Sequence, residues 1–296
     1  MSNSLKKLLL LGLFVGVLSA QESRMTLHIL YTQNNNGEID NCHCPSNPLG
    51  GFEKRSTFFH DWVKKYPNTL IFDTGDFLSF EGEPEADLDV IELMTHMNYS
   101  AVNLGDQELS NGVSFMESYL IPSNLLLVSS NMKIDCAEAT AVNRYLTFTT
   151  EGLNVVVTGL AGSVAVNYFT ESDINDRVWC IDPLKSLTHL FQEEPGVKDA
   201  DLHILLSNLG LDQDLELAGE LLFLDVILGG HSQHLLGEAL QKGGALIVQS
   251  GKDGHYVGHL ELNISGGKII ASKHELIPMG AQIRDDEKVM EIYRSQ

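Results

Sequence analysis

The chain has 296 residues, enough for a large domain with a substantial buried core. Its 40 acidic side chains against 19 basic ones give a formal net charge of -21, which argues against a nucleic-acid partner, because phosphate binding needs clustered Lys and Arg. An apolar fraction of 43% is that of a folded protein, so the acidity marks a soluble, cation-attracting surface and not disorder.

Residues 1–21 read as a secretory signal peptide. Lys6 and Lys7 precede an apolar run over 8–18, and Ala20 offers a small residue for cleavage. The run is too short for a permanent span, and no later segment is long and apolar enough to cross a membrane. The expectation is one exported domain over 22–296, periplasmic or secreted, with no integral membrane span once the leader is removed. The protein's ligand, small molecule or protein, is not specified by the sequence.

Beyond the leader, short β-rich apolar runs at 27–32, 69–73, 101–104, 125–129, 146–149, 155–160, 202–207, 226–228 and 245–249 read as buried strands. Amphipathic patterns at 52–65, 88–97, 183–192 and 211–219 read as helices, 257–264 and 268–277 as a hairpin, and 286–293 as a closing helix. Strands alternating with helices predict a layered α/β architecture with helices over both sheet faces. Five strands run into polar loops: Thr32-Gln33-Asn34-Asn35-Asn36-Gly37, Asp73-Thr74-Gly75-Asp76, Gly105-Asp106-Gln107-Glu108, Ser207-Asn208-Leu209-Gly210 and Gly229-Gly230-His231-Ser232-Gln233-His234. Loops at the carboxyl ends of core strands converge on one rim, the usual place for a site in an α/β sheet.

Cys42-His43-Cys44 is the odd feature among four cysteines, the others being Cys136 and Cys180. In an exported protein this pair reads as a redox or metal-binding element, or the four as loop staples with an open pairing. Trp62 and Trp179 read as core aromatics, His60, His96, His203 and His259 as surface or satisfied core groups, and the acidic stretch 81–89 as a solvent-facing helix start.

The rim loops resemble those of the calcineurin-like metallophosphoesterases, in particular the N-terminal domain of the 5'-nucleotidase family. Thr32–Gly37 stands at its T-N-D-x-H-G pattern, Asp73–Asp76 at D-x-G-D, Gly105–Glu108 at G-N-H-E, Ser207–Gly210 at S-H-x-G and Gly230–Gln233 at G-H-T-H. The resemblance implies an αββα metallophosphoesterase sandwich and a pair of metal ions about 4 Å apart that bind phosphate and generate hydroxide. At the implied ligand positions Asp76 and His231 are unchanged and Asp106 replaces Asn. Asn34 replaces the family's Asp, and Asn36, Asn208 and Gln233 replace three His. Amides are weaker ligands than imidazoles for transition metals, so the expected metal set is Asp76, Asp106 and His231, with Asn34, Asn36, Asn208 and Gln233 as lesser donors for one hard divalent cation such as Ca, Mg or Mn. The implied acid-catalyst positions hold Gln107 and Ser110, neither of which delivers a proton at neutral pH. The sequence therefore leans toward a non-catalytic or weakly active binding or accessory protein. Metal-dependent phosphoesterase activity on a phosphate ester or nucleotide, and a thiol-redox role of Cys42 and Cys44, are the alternatives.

Overall fold

Apolar residues at alternate positions set the architecture. In β1 (Arg24–Thr32), Leu27, Ile29 and Tyr31 enter one core while Leu30 enters another, as the two-residue period of a strand requires. β7 (Leu153–Ala161), β9 (Leu202–Asn208) and β10 (Val226–Gly229) repeat this: Val155, Ile204 and Val226 join the core of Leu27, and Val156, Leu205 and Ile227 face away from it. Strands apolar on both faces lie between layers. The computed structural model, which describes residues 24–136, 142–162 and 172–294, accordingly stacks two six-stranded sheets on a shared core. The signal sequence read at 1–21 lies outside the described residues.

In the first sheet β1 pairs in parallel with β2 (Thr69–Asp73), which continues through β3 (Ala101–Asn103) to β4 (Leu127–Val128). On its other side β1 pairs antiparallel with β13 (Tyr256–Ser265), which forms the expected hairpin with β14 (Lys268–Pro278). The second sheet places β12 (Ala245–Val248), β10, β9 and β7 in parallel, flanked by antiparallel β11 (Leu240–Lys242) and β6 (Tyr145–Thr150). Over the first sheet lie α1 (Phe52–Lys65) and α2 (Pro84–His96), which bury Phe52, Phe59, Val90 and Leu93; over the second lie α3 (Pro183–Glu193) and α4 (Leu211–Glu220), which bury Leu187, Leu190 and Leu217. A last helix, α5 (Glu287–Arg294), rests on α1 and α2. This is the αββα sandwich that the resemblance implies; the strand and helix order predicts a layered α/β fold with helices over both faces of a sheet, whereas here each sheet has helices on one face and the other sheet on its second.

Three details depart from the sequence reading. A small ribbon of β5 (Met132–Ile134) and β8 (Val178–Cys180) stands apart from both sheets, and on it Trp179 is 52% exposed, not a core residue, because its neighbour Val178 takes the inward side of the pleat. The helix expected at 88–97 begins at Pro84, whose fixed φ suits a first helical position. Within the acidic stretch 81–89, Asp87 does not face solvent: its buried carboxylate accepts from the Ser79 N–H at 2.7 Å, the Ser79 hydroxyl at 2.8 Å and Asn111 Nδ2 at 2.6 Å. It ties α2 to the loop that follows β2. Among the described residues no helix is long and apolar enough to cross a membrane.

Removing the Asp87 carboxylate leaves three buried donors without an acceptor. Asp87→Ala is expected to destabilise the fold by about 2–3 kcal/mol in urea unfolding at pH 7, while Glu85→Ala, on the exposed face of the same helix, changes it by less than about 0.5 kcal/mol.

Candidate functional site

The loops after β1, β2, β3, β9 and β10 meet at one rim, and backbone groups hold them there. Asn34 N, Asn36 N and Gly37 N donate to the carbonyls of Gly75, Asp76 and Phe77, so the first loop runs on beside the second after the strands end. Gln33 fastens a third segment, donating to Gly251 O at 2.7 Å and accepting from Ser250 N at 2.8 Å. The strongest fastening is Glu108. Its fully buried carboxylate accepts from four backbone N–H groups, those of Gly105 (2.6 Å), Asp76 (3.1 Å), Phe77 (2.8 Å) and Leu78 (3.2 Å). Burial and the nearby Asp76 charge push this carboxyl well above the usual range, and the N–H donors pull against that.

Of the nine non-glycine residues with left-handed backbone among the described residues, six stand on this rim: Asn34, Asn36, Asp76, His231, Gln233 and Asp253. Such conformations are costly for side-chain-bearing residues and concentrate where a structure aims side chains for a purpose.

Asp76, Asp106 and His231 come together, with one ligand atom from each lying within 4.8 Å of the others. His231 Nδ1 is 3.4 Å from Asp106 Oδ1 and 3.6 Å from Asp76 Oδ2. The Asp106 and Asp76 carboxylates raise the imidazole to about 10, against the effect of burial. Burial raises Asp76, and the His231 partner draws it back; in Asp106 burial is outweighed by the same partner, which holds the carboxyl low. Asp76 is aimed by Asp106 N (3.1 Å) and Asn34 Nδ2 (2.8 Å). Asn208 closes over Gly105 beside Asp76: a Cβ there would collide with Asp76 Oδ1 and fall 2.8 Å from Asn208 Nδ2, so only glycine fits beneath them.

The remaining candidates divide. Asn34 Oδ1 and Asp106 Oδ1 are buried without a hydrogen-bond partner and sit beside the cluster, as oxygens available to a cation do. Asn36 is turned away: its Nδ2 donates to Asp253 Oδ1 at 2.6 Å and its Oδ1 accepts from Gln107 Nε2 at 3.0 Å. Gln233 stands half-buried on the rim, and Ser110 Oγ is buried without a partner. His234, one place beyond Gln233, is exposed and bonds Ser232 Oγ at 2.9 Å, so it does not swing inward to replace the missing imidazole. The carboxylates of Asp76 and Asp106, the His231 imidazole and the Asn34 carbonyl could together hold an ion, while the Asn36 amide is engaged with Asp253 and Gln107. Asp253 is invisible in the sequence, since a Lys-Asp-Gly turn gives no sign that its carboxylate reaches the first loop.

Cys42 and Cys44 lie at the edge of the rim, with Sγ atoms 2.6 Å apart. The Cys44 thiol and the Leu49 N–H hold Cys42 below its ordinary value and leave Cys44 above it. Lys54 and Arg55 take no part: Lys54 bonds Glu53 and Asp285, and Arg55 bonds Asn35. Cys136 and Cys180 pack against the core under α2, and burial pushes Cys180 up to about 11. A cleft of about 290 Å³ beside Cys42 is lined by Glu38, Asp40, Cys42, His43, Asp253 and His255, so Asp253 shares a cleft with Cys42 and also bonds Asn36. A larger cleft, about 1150 Å³, lies elsewhere, over α3 and α4.

The fold matches that of the calcineurin-like metallophosphoesterases, and homologues and structural neighbours are metallophosphoesterases and 5'-nucleotidases, matched in the N-terminal domain of the latter. The uncharacterized metallophosphoesterase YunD of Bacillus subtilis (strain 168) is 29% identical over 209 residues, 66% of this chain and 42% of that protein. The 5'-nucleotidase precursor from Thermus thermophilus superposes with a TM-score of 0.81 at 24% identity, covering 92% of this chain and 58% of the other. The calcineurin-like phosphoesterase YfkN from Bacillus subtilis superposes with a TM-score of 0.76 at 18% identity, covering 92% and 97%. No protein-family model matches the chain. The chain spans about half the length of the curated relatives it matches.

Behind the rim, Asp214 at the start of α4 is fully buried against the Ser207 hydroxyl and Gln249, and burial raises its carboxyl to about 7. An acid whose pKa rises on folding favours the fold below its unfolded pKa of about 3.9, and that advantage is lost as pH rises toward 7. The stability of Asp214→Asn relative to wild type is therefore expected to move in the variant's favour by roughly 2–4 kcal/mol between pH 4 and pH 8, read by urea unfolding at both. The rearranged hydrogen bonds of the variant cost the same at each pH and drop out of that comparison.

Proposed function

We propose that this is an exported protein, periplasmic or secreted, that keeps a metallophosphoesterase fold but binds a single divalent cation and a ligand at its rim without two-metal hydrolysis. The observation that carries this reading is the commitment of Asn36. Where the resemblance implies an imidazole ligand, its amide is spent on Asp253 and on Gln107, the residue at the implied acid-catalyst position. Gln107 has no titratable proton to give, so one substitution pair removes both a ligand and an acid.

Asp76, Asp106, His231 and the Asn34 carbonyl supply two charges, one imidazole and one neutral oxygen, a set suited to Mg, Mn or Ca. When bound, such an ion supplies positive charge for an anionic group of the ligand. The chain's own part is positional: Asp76 is aimed by the Asp106 N–H and the Asn34 amide, and Glu108 keeps both loops from parting. Export rests on the leader pattern at 1–21.

Purified protein is expected to bind one Mn2+ by isothermal titration, with affinity lowered about tenfold or more in Asp76→Ala, and to hydrolyse p-nitrophenyl phosphate and AMP no faster than that variant does. Manganese-dependent turnover that disappears in Asp76→Ala would establish the phosphoesterase alternative instead.

The exposed, contiguous thiols favour a second reading, thiol–disulfide exchange at the mouth of the rim. Iodoacetamide at pH 7.5 is expected to label Cys42 about tenfold or more faster than Cys180, whose thiol is pushed up to about 11, as followed by mass spectrometry; equal rates rule this role out.

A further inference from the structure

On the far side of the first sheet from the second core, three helices bring together groups that the rim does not use. His60 lies on α1, His96 is the last residue of α2, and Asp286 immediately precedes α5. One ligand atom from each lies within 4.8 Å of the others. His60 Nδ1 is 3.6 Å and His96 Nε2 3.7 Å from the same oxygen, Asp286 Oδ2. These separations are too long for hydrogen bonds. They approach the edge of a coordination tetrahedron, about 3.3–3.4 Å for metal–ligand bonds of about 2.0–2.1 Å.

His96 Nε2 is buried without a hydrogen-bond partner. Of the cations around the cleft, Lys64 and Arg284 pair with Asp61 and Lys54 pairs with Asp285, while Lys288 lines the cleft opening. Asp286 is held in place as metal-binding carboxylates are, by secondary hydrogen bonds. Ser56, one helical turn before His60, donates to its Oδ2 at 2.8 Å, and the Lys288 N–H donates to its Oδ1 at 3.0 Å. The group opens onto a cleft of about 540 Å³, which leaves room for a fourth ligand from solvent.

We propose that His60, His96 and Asp286 form a zinc site that bolts α5 to α1 and α2. Two imidazoles and one carboxylate are a donor set that suits zinc over calcium or magnesium, in contrast to the oxygen-rich rim. Each ligand comes from a different helix or its edge, so the ion closes a long loop between residue 96 and residue 286 and stabilises the docked position of the last helix.

The test separates this site from the rim by working in an Asp76→Ala background. Chelator-stripped Asp76→Ala protein, dialysed against zinc alone, is expected to retain one zinc per chain by mass spectrometry of metals and to gain roughly 5 °C or more in Tm. Adding His96→Gln, or separately His60→Gln, is expected to remove both the bound zinc and the shift. In the otherwise native chain His60→Gln, a half-exposed position, lowers the zinc stoichiometry by one. The proposal is overturned if Asp76→Ala holds no zinc, or if zinc and the Tm shift persist in both double variants.

Discussion

The rim depends on one buried carboxylate. Glu108 follows β3 but makes three of its four hydrogen bonds to the loop after β2, so the two loops cannot move apart without leaving a buried carboxyl and backbone N–H groups unsatisfied in the interior. That constraint places the Asp76 backbone, and with it the side chain on which Asn34, His231 and the Asp106 N–H converge. Gly105 completes it, because only a residue without a Cβ lets Asp76 and Asn208 close over it. The backbone frame of the rim thus holds Asp76 beside Asp106 and His231.

Those side chains have been stitched to one another. Gln107, Asn36 and Asp253 form a chain of hydrogen bonds that leads from the third loop, through the first, to the turn bordering the Cys42–Cys44 cleft. An imidazole ligand presents a nitrogen lone pair to an ion; an amide presents both a donor and an acceptor and is readily absorbed by its neighbours. Exchanging one for the other does more than weaken a bond to metal. At Asn36 the amide has taken both kinds of partner, donating to Asp253 and accepting from Gln107.

Much of this is legible in the sequence, and the limits have physical causes. Strands such as β1 and β9 announce themselves because both faces are apolar, and the rim follows from polar, glycine-bearing loops at their ends. The start of α2 is hard to place because the acidic residues ahead of Leu88 look like surface, while Asp87 is held inside by Ser79 and Asn111, contacts between residues whose pairing no pattern announces. Trp179 misleads for a similar reason: a short ribbon exposes alternate residues whatever their hydrophobicity. Asp76, Asp106 and His231 can be placed together because each sits in a loop of recognisable form. The direction taken by Asn36 cannot, since it depends on Asp253, more than two hundred residues away. His60 and His96 look scattered in the chain, and only the docking of α5 shows that they face a common carboxylate.

The left-handed backbone of the rim restricts the alphabet available to evolution there. At Asn34, Asn36, Asp76 and His231 the φ angles are 45°, 57°, 59° and 63°, a region that asparagine, aspartate, histidine and glycine enter far more readily than β-branched or bulky residues. At Asn36 the backbone admits an amide, a carboxylate or an imidazole more readily than an aliphatic side chain, so the replacements it accepts keep a polar group on the rim, and a histidine placed there would meet a conformation it tolerates.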